Sequence, residues 1–254
     1  MSVEGEFTPA KIVVAIVGAR DATRTSLDIA HRFAKMVVRE GGLVISGGAD
    51  GVDAAAHRGA TDFGGRTWAV LGCGAPFYWP RIEDLEDKER FKRIVDHGGC
   101  LLRPFADGVP ARKGNFLRRN SVTVALAQLV IIVQAGSKSG SLNAASHARR
   151  MRRPVWVVPG YGDAFAGSRK LVAEGEHEMR SDNELVEWLR GGRRKPDFDD
   201  DSQLVLKTLG SRAKHPDEIA METGLSTPAV ATALLTLALG DVVVEGSAGM
   251  FQRK

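Results

Sequence analysis

Four short stretches place glycine, serine and basic residues where they could grip an anion. "GARDATRT" holds Gly18 and Arg20, "SGGADGVDAAAH" holds Ser46, Gly47, Gly48 and Gly51, and "QAGSKSGSLNAASHARR" holds Lys138, Ser139, Gly140 and Ser141. Glycine and serine ahead of a helix leave backbone N–H groups open, and such groups attract negative charge. Glycine-rich turns close most parallel sheets, so no one of these is diagnostic by itself. The fourth stretch, "GNFLRRNS" (114–121), raises an electrostatic question. The apolar run Val122, Val124, Ala125, Leu126, Ala127 predicts a helix from about Leu117, with Arg118 and Arg119 in its first turn. Cations there oppose the helix dipole by a few tenths of a kcal/mol up to about 1. A bound anion would reverse the sign.

Asp53 and His57 lie four apart on one helical stretch and are expected to face each other. Such a pair could do general acid–base work. The reading we favour makes Asp53 a helix-start carboxylate that holds the imidazole in place. No serine–histidine–acid arrangement or metal-ligand cluster stands out, so no catalytic residue, metal or cofactor is expected.

Short β-branched runs position these stretches. Strands are predicted at 12–18, 43–46, 67–72, 100–103, 129–133 and 155–159, separated by segments with apolar residues at helical spacing, such as Leu27, Ala30, Phe33, Ala34 and Val37. Strands this apolar are covered on both faces, and their alternation with helices implies a doubly wound, mostly parallel α/β sheet of Rossmann-like type. Ligands of such sheets bind at the carboxyl ends of the strands. The three glycine turns fall there.

The chain has 254 residues, enough for one large and one small domain. Its net charge of +4 conceals an asymmetry. From Arg103 to Arg153 there are ten Lys or Arg against one acid, Asp107, whereas from Asp201 onward five basic residues meet six acidic ones. The first region is therefore the one suited to a polyanion. No apolar stretch approaches the roughly 20 residues of a membrane span, and the N-terminus lacks the pattern of a signal peptide. A cytoplasmic protein is expected. Cys73 and Cys100 show no metal spacing and read as small buried side chains.

The expected domains are 11–190 and 201–254, joined by a Gly-, Pro- and charge-rich linker at 191–200. Its "DFDDD" could mimic DNA and compete for the basic stripe. The C-terminal order is helix, helix, helix and two short strands around "GSAG", which is a winged helix-turn-helix. Asp217 and Glu218 suit a helix start, Gly224 the turn, and Ser226 or Thr227 a cap before Pro228. Its second helix of the helix-turn-helix pair carries no Lys, Arg, Asn or Gln between Thr227 and Gly240, so it is poorly equipped to read base edges. Contact with protein suits it better.

Taken together, the motifs resemble those of the DprA/Smf family of DNA-processing proteins. "IVGAR" resembles the family's IVGSR, "SGGADGVDAAAH" its SGxAxGID with a downstream His, "FLRRNSVTVALA" its FPxRNRIIAGLS, and "VQAGSKSGSLNAA" its VEAxxxSGSLITA. "LGCGAPFYWP" and "VWVVPG" are similar to two further family turns, and the resemblance spans residues 11 to about 180. It implies a homodimeric, non-enzymatic binder of single-stranded DNA that helps load a RecA-type recombinase during DNA uptake, as in natural transformation, or recombination. By position, the basic pocket would use Arg20, Arg119 and Lys138, with Arg118 and Lys113 on phosphates. Gly18, Ser46, Gly47, Gly51, Asp53, Asn120, Ser139, Gly140 and Ser141 would shape the loops, and Phe105 and Phe116 could stack on bases. The family's usual N-terminal helical domain is expected to be missing.

The sequence departs from the pattern at Asp50, often basic in the family, and at Ser121, the second arginine of RNR. Gln134 replaces Glu, and Asn143 and Ala144 replace Ile and Thr. A pocket with fewer charges could serve another phosphate-bearing ligand. The alternative is therefore a nucleotide-binding sensor or a phosphoribohydrolase-like protein of the same sheet type, although the latter's PGGxGTxxE glutamate is absent from "SKSGSLNAA".

Overall fold

A computed structural model describes residues 2–77, 85–191, 198–209, 212–239, 242–246 and 249–253. The chain divides into two compact units, one mostly within the first 193 residues and the other mostly from Arg194 on.

The first unit is built on an eight-stranded sheet in the order β1-β5-β4-β3-β2-β6-β7-β8. Six of its strands match the apolar runs: β2 (Val13–Val17), β3 (Leu43–Gly47), β4 (Thr67–Val70), β5 (Cys100–Arg103), β6 (Leu129–Ile132) and β7 (Val155–Val157). All six pair in parallel. The sheet has two further edge strands that the sequence reading missed. β1 (Ser2–Gly5) runs antiparallel to β5, and β8 (His177–Glu178) parallel to β7. Both are short and at least half polar, so neither carries an apolar signal.

Helices α1 (Arg24–Arg39) and α2 (Val52–Thr61) bury Ala30, Phe33, Val37, Val52, Ala56 and Ala60 against the sheet. Leu185 and Leu189 of α7 (Asp182–Gly191) join that cluster. α3 (Leu85–Asp96) sets Phe91 and Ile94 against Ala69, Leu71 and Leu101. The remaining helices of this unit are α4 (Lys113–Ala125), α5 (Ser141–Arg150) and α6 (Ala166–Ala173). Both cysteines are buried free thiols, and burial pushes the Cys100 thiol up to about 12.

The second unit contains α8 (Asp200–Leu209), α9 (Pro216–Thr223), α10 (Thr227–Leu239) and the antiparallel pair β9 (Val243–Glu245) and β10 (Phe251–Arg253). Val205, Leu209, Ile219, Val230, Leu234, Leu237 and Val243 form its core. Gly224 adopts a left-handed φ of 70° after α9, and the Ser226 hydroxyl accepts from the Ala229 N–H at 3.4 Å. The "DFDDD" run is only partly a linker. The Asp199 carboxylate accepts from the Ser202 N–H at 2.8 Å, and Asp200 and Asp201 occupy the first turn of α8, where the helix dipole favours acids. The rest of the expected linker, 192–197, lies outside the described residues, as do 78–80 of "LGCGAPFYWP" and the centre of "GSAG".

Candidate nucleic-acid interface

The strand order reverses between β2 and β6, since β3, β4 and β5 follow on one side and β7 on the other. The crevice at the carboxyl ends of these two strands is where a doubly wound sheet receives ligands. The loop after β2 carries Gly18 and Arg20. Gly18 lies against Val52, whose Cγ2 would be 2.7 Å from an added Cβ. Thr23 closes the loop by capping α1, and its own N–H donates to Gln134 Oε1 at 3.0 Å. Gln134, the departure from Glu, thus anchors the loop that presents Arg20.

The loop after β3 locks onto the same segment. Val52 N–H donates to the Ala19 carbonyl at 3.1 Å. Gly51 has φ +73°, and any Cβ there would overlap the Arg20 carbonyl oxygen, so only glycine fits. Arg20 is left exposed, its guanidinium carbon 5.2 Å from the centre of the Phe116 ring.

α4 lies over the ends of β3 and β4 and differs from expectation in its start. It begins at Lys113 with Arg112 as N-cap, so Arg118 and Arg119 sit in its second turn, outside the reach of the terminal N–H groups. The expected start near Leu117 followed the apolar half of the helix, whereas the first half is polar and carries no periodic signal. The electrostatic question passes to Arg112 and Lys113, which occupy the N-cap and the first turn with no acidic residue beside them in that turn.

The two arginines part company. Arg118 is exposed, while Arg119 is only 5% exposed. Its guanidinium lies where a Cβ on Gly47 would be, and its Nη1 stands 3.9 Å from Asp53 Oδ2. Burial raises the Asp53 pKa against the pull of Arg119 and lowers that of Arg119 against the pull of Asp53. Desolvation thus exceeds attraction on both sides, as expected of a buried pair too far apart to hydrogen-bond. Arg119 Nε has no hydrogen-bond partner among the described residues. Arg119 is therefore a buried brace between α4, β3 and α2, a correction to its assignment as a phosphate contact on an open pocket.

Three further assignments change. Ser46 is buried, its hydroxyl donates to the Ile16 carbonyl at 2.6 Å and its side chain lies against the Asp53 carboxyl, so it is spent inside the fold and not on an external anion. Asp53 and His57 do not meet. The imidazole Nδ1 is 2.8 Å from Thr67 Oγ1 and Nε2 is 2.8 Å from the Gly47 carbonyl. Burial pushes the His57 pKa down to about 3, so the ring is neutral, with the Nε2 proton on Gly47. The ten-cation stripe is not one face. Arg103 is buried beside Glu4 at 2.7 Å, Arg149 pairs with Glu174 and Glu176, and Arg153 donates to the Ala125 carbonyl at 3.3 Å.

What remains outward is a smaller set. Arg20, Arg112, Lys113, Arg118 and Lys138 are exposed and form no ion pair among the described residues. Asn120 ties α4 to the loop carrying Lys138, donating to the Gly140 carbonyl at 3.2 Å, with Asn143 Oδ1 also at 3.2 Å. Ser139 and Ser141 hydroxyls bond each other at 2.6 Å and stiffen the turn into α5, while Gly140 is exposed. Sequence reasoning missed Arg90. It reaches from α3 to the Gly48 carbonyl at 3.1 Å and to Asp50 at 3.3 Å, so the acid at this departure from the expected motif is matched by a cation. Among the described residues no cluster of His, Cys, Asp or Glu could hold a metal, and no helix is long and apolar enough to cross a membrane.

A doubly wound, mostly parallel sheet with braced glycine turns and outward cations at its switch point, joined to a winged helix, is the α/β class of protein that this chain forms. The chain belongs to the DNA recombination-mediator protein A family, whose sequence model matches residues 1–190, and a DprA winged helix domain matches 192–249. It is 33% identical over 225 residues to the putative DNA processing protein DprA of Mycobacterium tuberculosis, covering 83% of this chain and 57% of that one. It is 29% identical to protein Smf of Escherichia coli, over 93% of this chain and 67% of the other. The chain therefore spans little more than half the length of the first of these relatives. Among solved structures, DNA processing protein A of Helicobacter pylori, described for its single-stranded DNA binding mode, superposes with a TM-score of 0.66 at 27% identity. That match covers 73% of this chain and 83% of the other. A molybdenum cofactor binding protein of Rippkaea orientalis, at 18% identity and TM-score 0.51, shares the fold.

Proposed function

We propose that this protein binds single-stranded DNA along the C-terminal edge of its sheet and, as a cytoplasmic homodimer without enzymatic activity, helps load a RecA-type recombinase. The observation that carries the reading is the division of labour on α4. Arg119 is buried as a brace, and Arg118, Lys113 and Arg112 stay outward beside Arg20 and Lys138. A braced edge with exposed cations suits a phosphate backbone, which offers charge at regular intervals and no fixed sequence. Family membership and the Helicobacter pylori relative support the choice of single-stranded DNA.

The test is fluorescence anisotropy of labelled oligo-dT at two salt concentrations. Binding should fall steeply with salt, and Arg118→Ala and Lys138→Ala should each weaken it for all sequences. Each phosphate contact removed should reduce the slope of log affinity on log salt by about 0.7. Absence of binding at low salt would overturn the reading in favour of a nucleotide ligand. Recombinase loading is then measured as faster filament formation on DNA coated with single-strand-binding protein, and no acceleration would remove that part.

A further inference from the structure

Tyr161 is the most exposed large hydrophobic side chain among the described residues of the sheet unit. It is 93% exposed, whereas Val3, Phe63, Phe77 and Leu117 lie between 38% and 44%. It makes no hydrogen bond or ring contact among the described residues. A tyrosine ring left in water keeps its whole face available to a planar partner.

The backbone of the loop that carries it is held on both sides. Phe165 packs on Gly160 so closely that a Cβ there would overlap its ring, which occupies the space beneath the loop. The Gly162 carbonyl accepts from Arg169 Nη1 at 2.7 Å and from the Phe165 N–H at 3.1 Å. The backbone is thus tied down on both sides of Tyr161.

It follows β7, at the same carboxyl edge as the proposed DNA path. The Ser168 N–H donates to the Ala135 carbonyl at 3.0 Å, and the Ala135 N–H donates to the Ser168 hydroxyl at 3.0 Å. An added Cβ on Gly136 would be 3.8 Å from the Asp163 carbonyl oxygen. The loops bearing Tyr161 and Lys138 therefore pack backbone to backbone. Tyr161 lies two residues before that contact and Lys138 two residues after it.

We infer that Tyr161 is a stacking platform for a base of the bound single strand, next to the phosphate held by Lys138. This rests on the proposed DNA-binding reading and adds to it a residue that contacts bases. An exposed flat ring on a loop packed against the one that carries a cation meets the two demands of sequence-independent single-strand binding, since every base has a π-face.

The experiment compares oligo-dT with an abasic oligonucleotide of equal length, using the full chain. The native protein should prefer oligo-dT. Tyr161→Ala should lose about tenfold in affinity for oligo-dT, keep its affinity for the abasic strand and keep its salt slope, and Tyr161→Phe should restore binding. Lys138→Ala should weaken both ligands. If Tyr161→Ala binds oligo-dT like the native chain, or loses equally on both strands, the stacking role is overturned while DNA binding stands. If the native chain binds neither, both fall.

Discussion

α4 and α10 are both 13 residues long, and each was a candidate to meet nucleic acid. α4 carries Lys113, Arg118 and Arg119 and buries only its Arg119, Thr123, Val124 and Ala125. α10 buries Val230, Ala233, Leu234, Thr236, Leu237 and Leu239, and its exposed positions include Thr227, Pro228 and Ala231, with no charge among them. The helix in the helix-turn-helix place is the one without the chemistry to hold phosphate. The comparison teaches that a motif's usual role does not travel with its geometry. Function follows which side chains remain in water.

The largest effect should come from the brace under α4. Arg119→Ala leaves Asp53 buried without its cation, a change expected to cost about 3–5 kcal/mol. Urea denaturation checks it, and a loss below about 1 kcal/mol would mean that α4 does not depend on the pair. A loss of DNA binding in this variant is not by itself proof of a phosphate contact, which is why Arg118 is the cleaner probe.

Next comes acid sensitivity. The folded His57 pKa of about 3 lies below its ordinary value of 6.5, so the unfolded chain binds more protons between these limits. Stability from this group is complete above about pH 6.5 and declines by up to about 1.4 kcal/mol per pH unit as the pH falls towards 3. His57→Gln should lower stability at neutral pH and flatten that part of the acid limb. An unchanged limb in denaturant titrations across this range would contradict a neutral, buried ring.

Smaller effects sharpen the contrast between the helices. Arg118→Glu should weaken oligo-dT binding several-fold more than Arg118→Ala does, with stability unchanged to within about 0.5 kcal/mol. Ala231→Glu at an exposed position of α10 should alter affinity by less than about twofold and stability by no more than about 0.5 kcal/mol. A strong loss of DNA binding from the α10 variant would break the comparison and return the winged helix to the interface.

Much of this was legible in the residues. Apolar runs mark the six parallel strands because strands buried on both faces cannot alternate polarity. The winged-helix order is visible in its helix-end signals, with Asp217 and Glu218 in the first turn of α9 and Gly224 closing it. The start of α4 was not visible, because Lys113 to Asn115 have no apolar partner to declare a helical face. Nor were β1 and β8, whose pairing comes from neighbours instead of their own composition. The acidic run at 199–201 read as linker because an N-cap and a solvated tail use the same residues, and only the backbone separates them.

The sequence by itself determined the class of fold, the edge at which glycine turns and cations gather, and the family, since these rest on periodicity and on local spacing along one chain. Tertiary structure alone decided what each cation does. Arg118 and Arg119 are neighbours with the same chemistry, and the helix turns one toward water and the other onto Gly47 and Asp53. That choice depends on a strand and a second helix far away in the chain, and the desolvation that follows makes one arginine a brace and leaves the other free to bind.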